Sequence, residues 1–153
     1  MKIRIGNSND FEELQQLFVG TVNTICKNDY NNKQIATWVS SVENREKWQE
    51  ILVKQYVLVA EKNNEITGFC TLKDSNYIDF LYVHKDYQRQ GIAFKLYSLI
   101  ETEAIKNGQS ELFSEVSITA KFFFEKRGFL VLSEQIVTIK GVEITNYKMN
   151  KKL

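Results

Sequence analysis

Apolar positions recur along this chain in two rhythms, every second residue in some segments and every third or fourth residue in others. The two-residue rhythm is rich in β-branched and aromatic side chains and predicts strands. Asn63-Asn64 joins two of these segments, residues 56–62 and 65–73, into a predicted hairpin. The next strand, residues 77–83, is predicted to run antiparallel to residues 65–73. The predicted strands cover residues 2–5, 56–62, 65–73, 77–83, 111–117 and, as a terminal antiparallel pair, 129–141 and 142–153.

The helical rhythm covers four segments. The first is expected to begin with Asn9 or Asp10 as N-cap and Glu12 or Glu13 three residues later, a capping-box pattern. The others are residues 31–53, either continuous or broken, and residues 91–106 and 120–127, with Gly108 and Gly128 as the predicted C-caps. The apolar positions of the first two segments are Leu14, Leu17, Phe18, Val22, Ile25, Ile35, Trp38, Val39, Val42, Trp48 and Ile51.

The middle of the chain reads strand, helix, strand. This βαβ arrangement predicts that strands 77–83 and 111–117 run parallel in one sheet. The order of elements is β-α-α-β-β-β-α-β-α-β-β, which indicates an α+β domain. We predict a single domain over residues 1–153.

The composition narrows the classes of function. The 20 Lys and Arg residues nearly balance the 19 Asp and Glu residues, for a net charge of +1, so no basic surface for nucleic acid is indicated. The apolar runs are too short for a spanning helix, and the N-terminal residues do not resemble a signal peptide. Cys26, Cys70 and the single histidine form no ligand cluster. We therefore expect a reduced cytoplasmic protein without a metal site or membrane contact.

One glycine stands at an informative place, the start of the helix predicted over residues 91–106. A helix N-terminus carries unpaired N–H groups and a partial positive charge, so it attracts anions. A glycine there lets a phosphate approach the backbone closely. The alternative is a helix start with an incidental glycine. We predict a phosphate site formed by Gln88, Arg89, Gln90, Gly91, Ile92 and Ala93.

This segment has the form Q-x-x-G-x-A and follows a strand that ends in "LYV". It resembles the acetyl-CoA pyrophosphate motif of the GNAT N-acetyltransferases, Gln/Arg-x-x-Gly-x-Gly/Ala. The later segment "SITAKFFFEKRGF" is similar to the family's Asn-x-x-Ala-x-x-x-Tyr-x-x-x-Gly-Phe segment. The order of elements is also similar throughout the chain. Within the family, the two segments most resemble bacterial YafP-like proteins.

The resemblance implies a single-domain GNAT fold, with a mixed central sheet splayed between two parallel strands and helices on both faces. It implies transfer of an acetyl group from acetyl-CoA, as co-substrate, to a primary amine by direct attack, without a metal. The acceptor would be a small-molecule amine or a peptide, and a homodimer is common in similar proteins. The pantetheine arm would lie in the splay along the backbone of Leu81, Tyr82 and Val83, with the amine entering from the opposite side.

Two carboxylates are candidates to take a proton from the amine. Asp79 is preferred because an acid is disfavoured on a central strand. Alternation puts Asp79 on the face of Leu81 and Val83, and burial there would raise its pKa. Alternatively, its carboxylate accepts backbone N–H groups, or binds a cationic substrate without moving protons. Glu115 is the second candidate, although a solvated strand glutamate is the commoner case.

The sequence departs from the family pattern at two positions. Ser117 stands where asparagine is usual, and its hydroxyl can still bond the CoA arm. Phe124 stands where the family often has the tyrosine that protonates the departing thiolate, so the general acid is unassigned. The three consecutive phenylalanines that include Phe124 are also explained by core packing alone. Tyr82 is an alternative donor, but alternation turns it away from Asp79.

The acceptor pocket of this fold is shaped by the region that contains Tyr30, in a polar loop, and Trp38, on the second helical segment. Trp38 is equally explained as a core residue. Two other functions stay open: a catalytically inactive CoA-binding sensor or interaction module on the same fold, and an α+β domain without a CoA site.

Overall fold

Seven strands form one mixed sheet in the computed structural model, which describes residues 1–153. The strand order is β1-β2-β3-β4-β5-β7-β6. All neighbours are antiparallel except β4 and β5, whose predicted parallel pairing is confirmed. The strands are β1 (Lys2–Ile5), β2 (Tyr56–Lys62), β3 (Glu65–Lys73), β4 (Tyr77–Val83), β5 (Glu111–Ser117), β6 (Leu130–Ile139) and β7 (Val142–Lys152).

The predicted helical segment over residues 31–53 is broken into two helices. A 3₁₀ turn, Ser40–Glu43, separates them, and the Asn44 side chain then caps the next helix by accepting the Lys47 N–H. No helix is long and apolar enough to cross a membrane. The helices are α1 (Phe11–Ile25), α2 (Asn32–Val39), α3 (Arg45–Lys54), α4 (Ile92–Lys106) and α5 (Lys121–Lys126).

Asp10 is the N-cap residue of α1, one of the two predicted positions, but its side chain makes no capping bond to that helix. The capping box lies one turn earlier, where Asn7 caps a short 3₁₀ turn and the Asp10 carboxylate accepts the Asn7 N–H at 2.8 Å. Asp10 also accepts two hydrogen bonds from Arg4. The predicted partners act elsewhere: Glu12 pairs with Arg45, and Glu13 accepts the N–H of Ile66 in β3. Both carboxylates therefore stabilise tertiary contacts that local sequence does not reveal.

The predicted turns are confirmed where the backbone requires a positive φ. Asn63 and Asn64, at φ 53° and 61°, join β2 to β3. Gly108 follows α4 at φ 80° and Gly128 follows α5 at φ 97°. A side chain is disfavoured at these angles, which explains the two glycines.

The sheet has a hydrophobic core on each face. The first core lies between the sheet and α1, α2 and α3, with Phe18 and Phe69 among its fully buried residues. The second core lies under α4 and α5, with Leu96 and Phe129 fully buried. Helices on both faces of one mixed sheet confirm the predicted α+β architecture.

β4 and β5 separate soon after they begin to pair. Their ladder joins only Tyr77 with Phe113 and Ile78 with Ser114. The Ser114 hydroxyl donates to the Ile78 carbonyl at 2.8 Å and closes this end. The strands then diverge and leave a gap inside the sheet.

The prediction that Asp79 shares a face with Leu81 and Val83 is wrong. The β3–β4 register shifts at this point, so that Ile78 and Phe80 have partners on β3 and Asp79 has none. Ile78, Leu81 and Val83 pack with the second core, whereas Phe80 packs with the first. This β-bulge interrupts the alternation on which the prediction depended. Asp79 accordingly shares the α1–α3 face with Gln55, its hydrogen-bond partner.

Candidate active site

A cavity of about 480 Å³ occupies the gap between β4 and β5. That volume lies in the range of small-molecule sites, about 300–1,000 Å³. The cavity extends through the sheet from one core to the other. Its α4 end, as we call it, is lined by Gln88, Ala93, Phe123 and Phe124; its α2 end is lined by Tyr30, Trp38, Val137, Ile139 and Ile144.

At the α4 end, the first turn of α4 has no cap. Gly91 is the N-cap residue at φ 79°, no side chain accepts from the turn, and the turn contains no acidic residue. No atom lies within 4 Å of the position that a Cβ on Gly91 would occupy. The N–H groups of the first turn therefore face open space, and the positive end of the helix dipole lies at the same place. An anion site requires both features. The preceding residues Arg89 and Gln90 are exposed.

Gln88 has a structural role in the same loop. Its Nε2 donates to the Val83 carbonyl at 2.7 Å and to the His84 carbonyl at 3.3 Å. Thr21 on α1 also donates to the Val83 carbonyl, at 2.8 Å. Gln88 thus joins the end of β4 to the loop before α4, while its side chain still lines the cavity. Ile92 is buried in the second core and can offer only its backbone to a ligand.

The edge of β4 offers backbone groups to the cavity. The His84 N–H donates to Thr67 in β3, and strand alternation then directs the groups of Tyr82 toward β3 as well. The backbone groups of Leu81 and the Val83 N–H point the other way, into the gap, whereas the Val83 carbonyl already accepts from Gln88 and Thr21. The prediction that Tyr82 contributes its backbone is therefore wrong, because its groups belong to the β3 ladder. The Tyr82 side chain lines the cavity instead.

Ser117 and Phe124 both line the cavity. The Ser117 Oγ accepts the Ala120 N–H at 3.1 Å, which leaves its hydroxyl hydrogen free to be donated. Phe124 is buried and packs edge-on against Phe129, with ring centroids 5.0 Å apart. Core packing does not explain the whole "FFF" run, because Phe122 is 66% exposed.

Asp79 and Glu115 are the only charged residues in the cavity lining, and both are exposed. The prediction of a buried Asp79 is wrong, since the bulge turns its side chain toward the opening. Its Oδ2 accepts from Gln55 Nε2 at 2.7 Å. Tyr77 lies close to both carboxylates. Burial and then the charges of Glu115 and Asp79 raise the pKa of Tyr77 to about 12. The charges of both carboxylates therefore act on this phenol.

Tyr30 and Trp38 meet at the α2 end, with ring centroids 5.3 Å apart. Tyr30 is buried despite its polar loop. Its hydroxyl donates to the Thr145 carbonyl at 2.7 Å and accepts the Ile118 N–H at 2.9 Å. Tyr30 thus links β7 to the residue after β5, and only its ring faces the cavity. Trp38 is half-buried, packs against the first core and also lines the cavity.

Three residues of this site were not identified from the sequence. Gln55 orients Asp79, Tyr77 is affected by the charges of both carboxylates, and Asn146 on β7 lines the cavity beside Ser117, its partner on β5. The Asn146 Oδ1 atom is buried without a hydrogen-bond partner. No local pattern marks these residues, because Gln55, Glu115 and Asn146 reach the site from elements remote from β4 in sequence. No three His, Cys, Asp or Glu side chains are grouped as metal ligands.

The mixed sheet is opened between two parallel strands, with an uncapped helix start on one face and carboxylates on the other. This is the architecture of an acetyltransferase of the GNAT class. Residues 26–151 match the family profile of the acetyltransferase (GNAT) domain. Over 99% of its length, the chain is 37% identical to the uncharacterised N-acetyltransferase YafP of Escherichia coli (strain K12), and the match covers 96% of that protein. The chain therefore belongs to the GNAT acetyltransferase family and is an acyltransferase.

Solved structures agree with this assignment. A GCN5-related N-acetyltransferase from Rhodopseudomonas palustris superposes with a TM-score of 0.96 and 30% identity, over 99% of this chain and 95% of that chain. The PaiA N-acetyltransferase of Thermoplasma acidophilum, solved in complex with coenzyme A, superposes with a TM-score of 0.81 and 22% identity over 100% of both chains. The second likeness concerns the fold alone.

Proposed function

We propose that this protein transfers the acetyl group of acetyl-CoA to a primary amine by direct attack of the amine on the thioester. The amine nitrogen forms a bond to the carbonyl carbon and loses a proton, the carbon–sulfur bond breaks, and coenzyme A leaves as its thiol. The acceptor is a small-molecule amine or a peptide amine.

The α4 end is the proposed cofactor site. Residues 88–93 hold the pyrophosphate, with the first-turn amides of Ile92 and Ala93 and the charge of Arg89 facing the phosphates. The absence of a cap, of an acidic side chain and of a Cβ at Gly91 fits an anionic group there. Coenzyme A is also the ligand of the Thermoplasma acidophilum structure. The backbone of Leu81, the Val83 N–H and the Ser117 hydroxyl bond the pantetheine arm, which packs against Phe124.

The carboxylates are proposed to serve the amine. Asp79 takes its proton, because Gln55 holds one carboxylate oxygen and leaves the other free. Glu115 helps to bind the ammonium form before that step. Tyr30 and Trp38 shape the pocket of the acceptor. Phe124 has no proton to give, so solvent or the newly formed ammonium protonates the thiolate.

One observation carries this proposal: a single cavity joins an uncapped helix start to two carboxylates through a break in the sheet. Neither a capped helix nor a closed sheet would provide both. An inactive CoA-binding sensor needs the α4 end but has no use for carboxylates at the other end.

Two measurements test the proposal together. Acetyl-CoA at 100 times its dissociation constant is expected to add about 2.7 kcal/mol to the free energy of unfolding. Release of free thiol from acetyl-CoA is then followed with a set of primary amines. Stabilisation without thiol release at any pH favours the sensor, and no stabilisation by acetyl-CoA contradicts the cofactor site itself.

The expected homodimer also stays a proposal. β6 is an edge strand of ten residues and exposes Leu130, Leu132 and Ile136. Such an edge is suited to pairing with a second copy, and light scattering in solution tests this. The cytoplasmic location is proposed as well, in keeping with the free and buried Cys26 and Cys70.

A further inference from the structure

The charges of the cavity lining have one sign. Asp79 and Glu115 are carboxylates, and the lining contains no lysine, arginine or histidine. Lys148, the β7 partner of Glu115, lies outside the lining, so a bound molecule meets two carboxylates and no cation among the groups that line the cavity. An ammonium group is attracted to this site, whereas a carboxylate on the same molecule is repelled.

The polar groups at the α2 end also share one side of the sheet. Val116 packs in the second core, so Glu115 and Ser117 point to the opposite face. Asn146 is the β7 partner of Ser117, and Ile144, two residues before it, packs in the first core. The bulge brings the Asp79 side chain to this same face.

The groups that converge there accept hydrogen bonds. Asp79 keeps one carboxylate oxygen beyond its bond from Gln55, Glu115 has its carboxylate, and the Asn146 Oδ1 atom is buried without a partner. A buried carbonyl oxygen without a donor costs free energy unless a ligand supplies the donor. A primary ammonium has three N–H donors and no acceptor, which matches three acceptor groups.

The rest of the α2 end is apolar. Trp38, Phe80 and Tyr82 are half-buried aromatic residues of the lining, and Val137, Ile139 and Ile144 complete it. The cavity of about 480 Å³ must also hold the thioester end of the cofactor. The space left admits a compact apolar body, and a second charged group in it would lose its hydration without a partner.

We infer that the acceptor is a compact aralkylamine, a primary ammonium on a short chain that carries an aromatic ring and no carboxylate, with Asn146 as a specificity-determining residue. The juxtaposition of Asp79, Glu115 and Asn146 beside an aromatic wall carries this inference, which rests on the proposed acetyl transfer. Free amino acids are excluded as preferred acceptors by their carboxylate, and polyamines by their further charges.

The test compares amines that differ in one property. Initial rates of thiol release from acetyl-CoA are measured with 2-phenylethylamine, phenylalanine, phenylalanine amide and spermidine. We expect kcat/KM for 2-phenylethylamine to exceed that for phenylalanine about a hundredfold, because two carboxylates repel the third. Phenylalanine amide has nearly the same shape as phenylalanine but lacks its negative charge. Its kcat/KM should therefore lie close to that of 2-phenylethylamine. Spermidine should be at least about tenfold poorer than 2-phenylethylamine.

The role of Asn146 is tested with N146L and the matched control N150L, which changes the same residue type on the same strand outside the cavity lining. N146L should raise KM for 2-phenylethylamine about tenfold with little change in kcat. Stabilisation by acetyl-CoA should be unchanged. N146D, which keeps an acceptor oxygen, should restore the lower KM.

The outcomes separate the two proposals. A preference for phenylalanine or spermidine over 2-phenylethylamine overturns the aralkylamine inference and leaves acetyl transfer standing. An equal KM in N146L and N150L overturns the role of Asn146. Stabilisation by acetyl-CoA without acetylation of any amine overturns acetyl transfer and the inference with it. If N146L does not fold, the preferences of the unmodified protein still decide the acceptor class.

Discussion

The two ends of the cavity differ in which part of the chain supplies their chemistry. At the α4 end the proposed binding groups are mostly backbone N–H and C=O groups, from the first turn of α4 and the free edge of β4. At the α2 end they are side chains from α2, β4, β5 and β7. A site made of backbone groups requires only that no side chain blocks access to them. A site made of side chains requires particular residues to be brought together.

Two helix starts show the same contrast. Asn31 and Gln34 form a reciprocal capping box at α2, so the N–H groups there are already used. At α4 no side chain takes that role, and Gly91 leaves the turn open. The sequence difference between the two starts is therefore a difference between a helix end capped by side chains and an open one, which we propose as the phosphate site.

The largest expected effect lies at the α2 end. D79N should lower turnover by about 10²–10⁴, the range for loss of general base catalysis, with acetyl-CoA binding retained. Steady-state rates of thiol release measure this. D74N is the control, because Asp74 is an exposed aspartate in the β3–β4 turn outside the cavity lining. If E115Q loses turnover and D79N does not, the roles assigned to the two carboxylates are reversed.

The next effect concerns the α4 end. G91D places a side chain and a negative charge at the proposed phosphate site, so the stabilisation of about 2.7 kcal/mol by acetyl-CoA at 100 times its dissociation constant should disappear. Thermal unfolding with and without acetyl-CoA measures it. G108D is a close control, because Gly108 has nearly the same φ, 80° against 79°, and equally open surroundings at the other end of α4. If both variants lose the stabilisation by acetyl-CoA to the same extent, backbone strain and not phosphate binding explains that loss.

A smaller effect is expected at the link made by Tyr30. Y30F removes the hydroxyl that bonds Thr145 and Ile118, so the free energy of unfolding should fall by about 1–3 kcal/mol at neutral pH. Urea unfolding measures this. The ring remains, so the wall of the cavity is kept. A variant as stable as the unmodified protein would contradict the structural role of the hydroxyl.

The same variant has a defined pH dependence. Burial raises the pKa of Tyr30 to about 12, above the value of about 10 in an unfolded chain. The stabilising contribution is therefore complete below about pH 10 and is lost as the pH rises toward 12, because only the unfolded chain releases the proton in that interval. The stability difference between Y30F and the unmodified protein should narrow over this interval in unfolding experiments. A constant difference would contradict the raised pKa.

The smallest effects concern the unassigned proton donor. Y82F should change turnover by less than about tenfold, because a thiol with a pKa near 8.5 leaves without a dedicated acid. Contrary to the sequence-based expectation, Tyr82 shares a face with Asp79. Tyr82 packs with the first core, however, whereas Phe124 packs with the second, so the two rings lie on opposite faces of the sheet. F124Y should be tolerated without a large gain. A loss of about 10³ in Y82F with acetyl-CoA binding intact would identify Tyr82 as the acid.

The α4 end was largely predictable from local sequence. Gly91 at the start of a helix, after a strand and before Ala93, was enough to predict an open first turn, because the geometry of a helix end depends on neighbouring residues. The crossover between β4 and β5 was also predictable, since the connection between parallel strands must span the sheet. Both features involve short stretches of chain with a strong backbone constraint.

The α2 end was not predictable in the same way. Alternation gave the wrong face for Asp79, because the pairing with β3 decides where a bulge falls. Tyr30 lies in a polar loop, yet it is buried by contacts with residues more than eighty positions away.

By itself, then, the sequence determined the order of elements, the open start of α4 and the family, because these depend on local periodicity and on one short motif. The tertiary structure alone decided that Gln55 orients Asp79, that the charges of both carboxylates act on Tyr77, and that Asn146 faces the same cavity without a partner. The physical reason is that Gln55, Asp79, Glu115 and Asn146 come from four separate elements, and their proximity depends on register and bulges that only the assembled sheet defines.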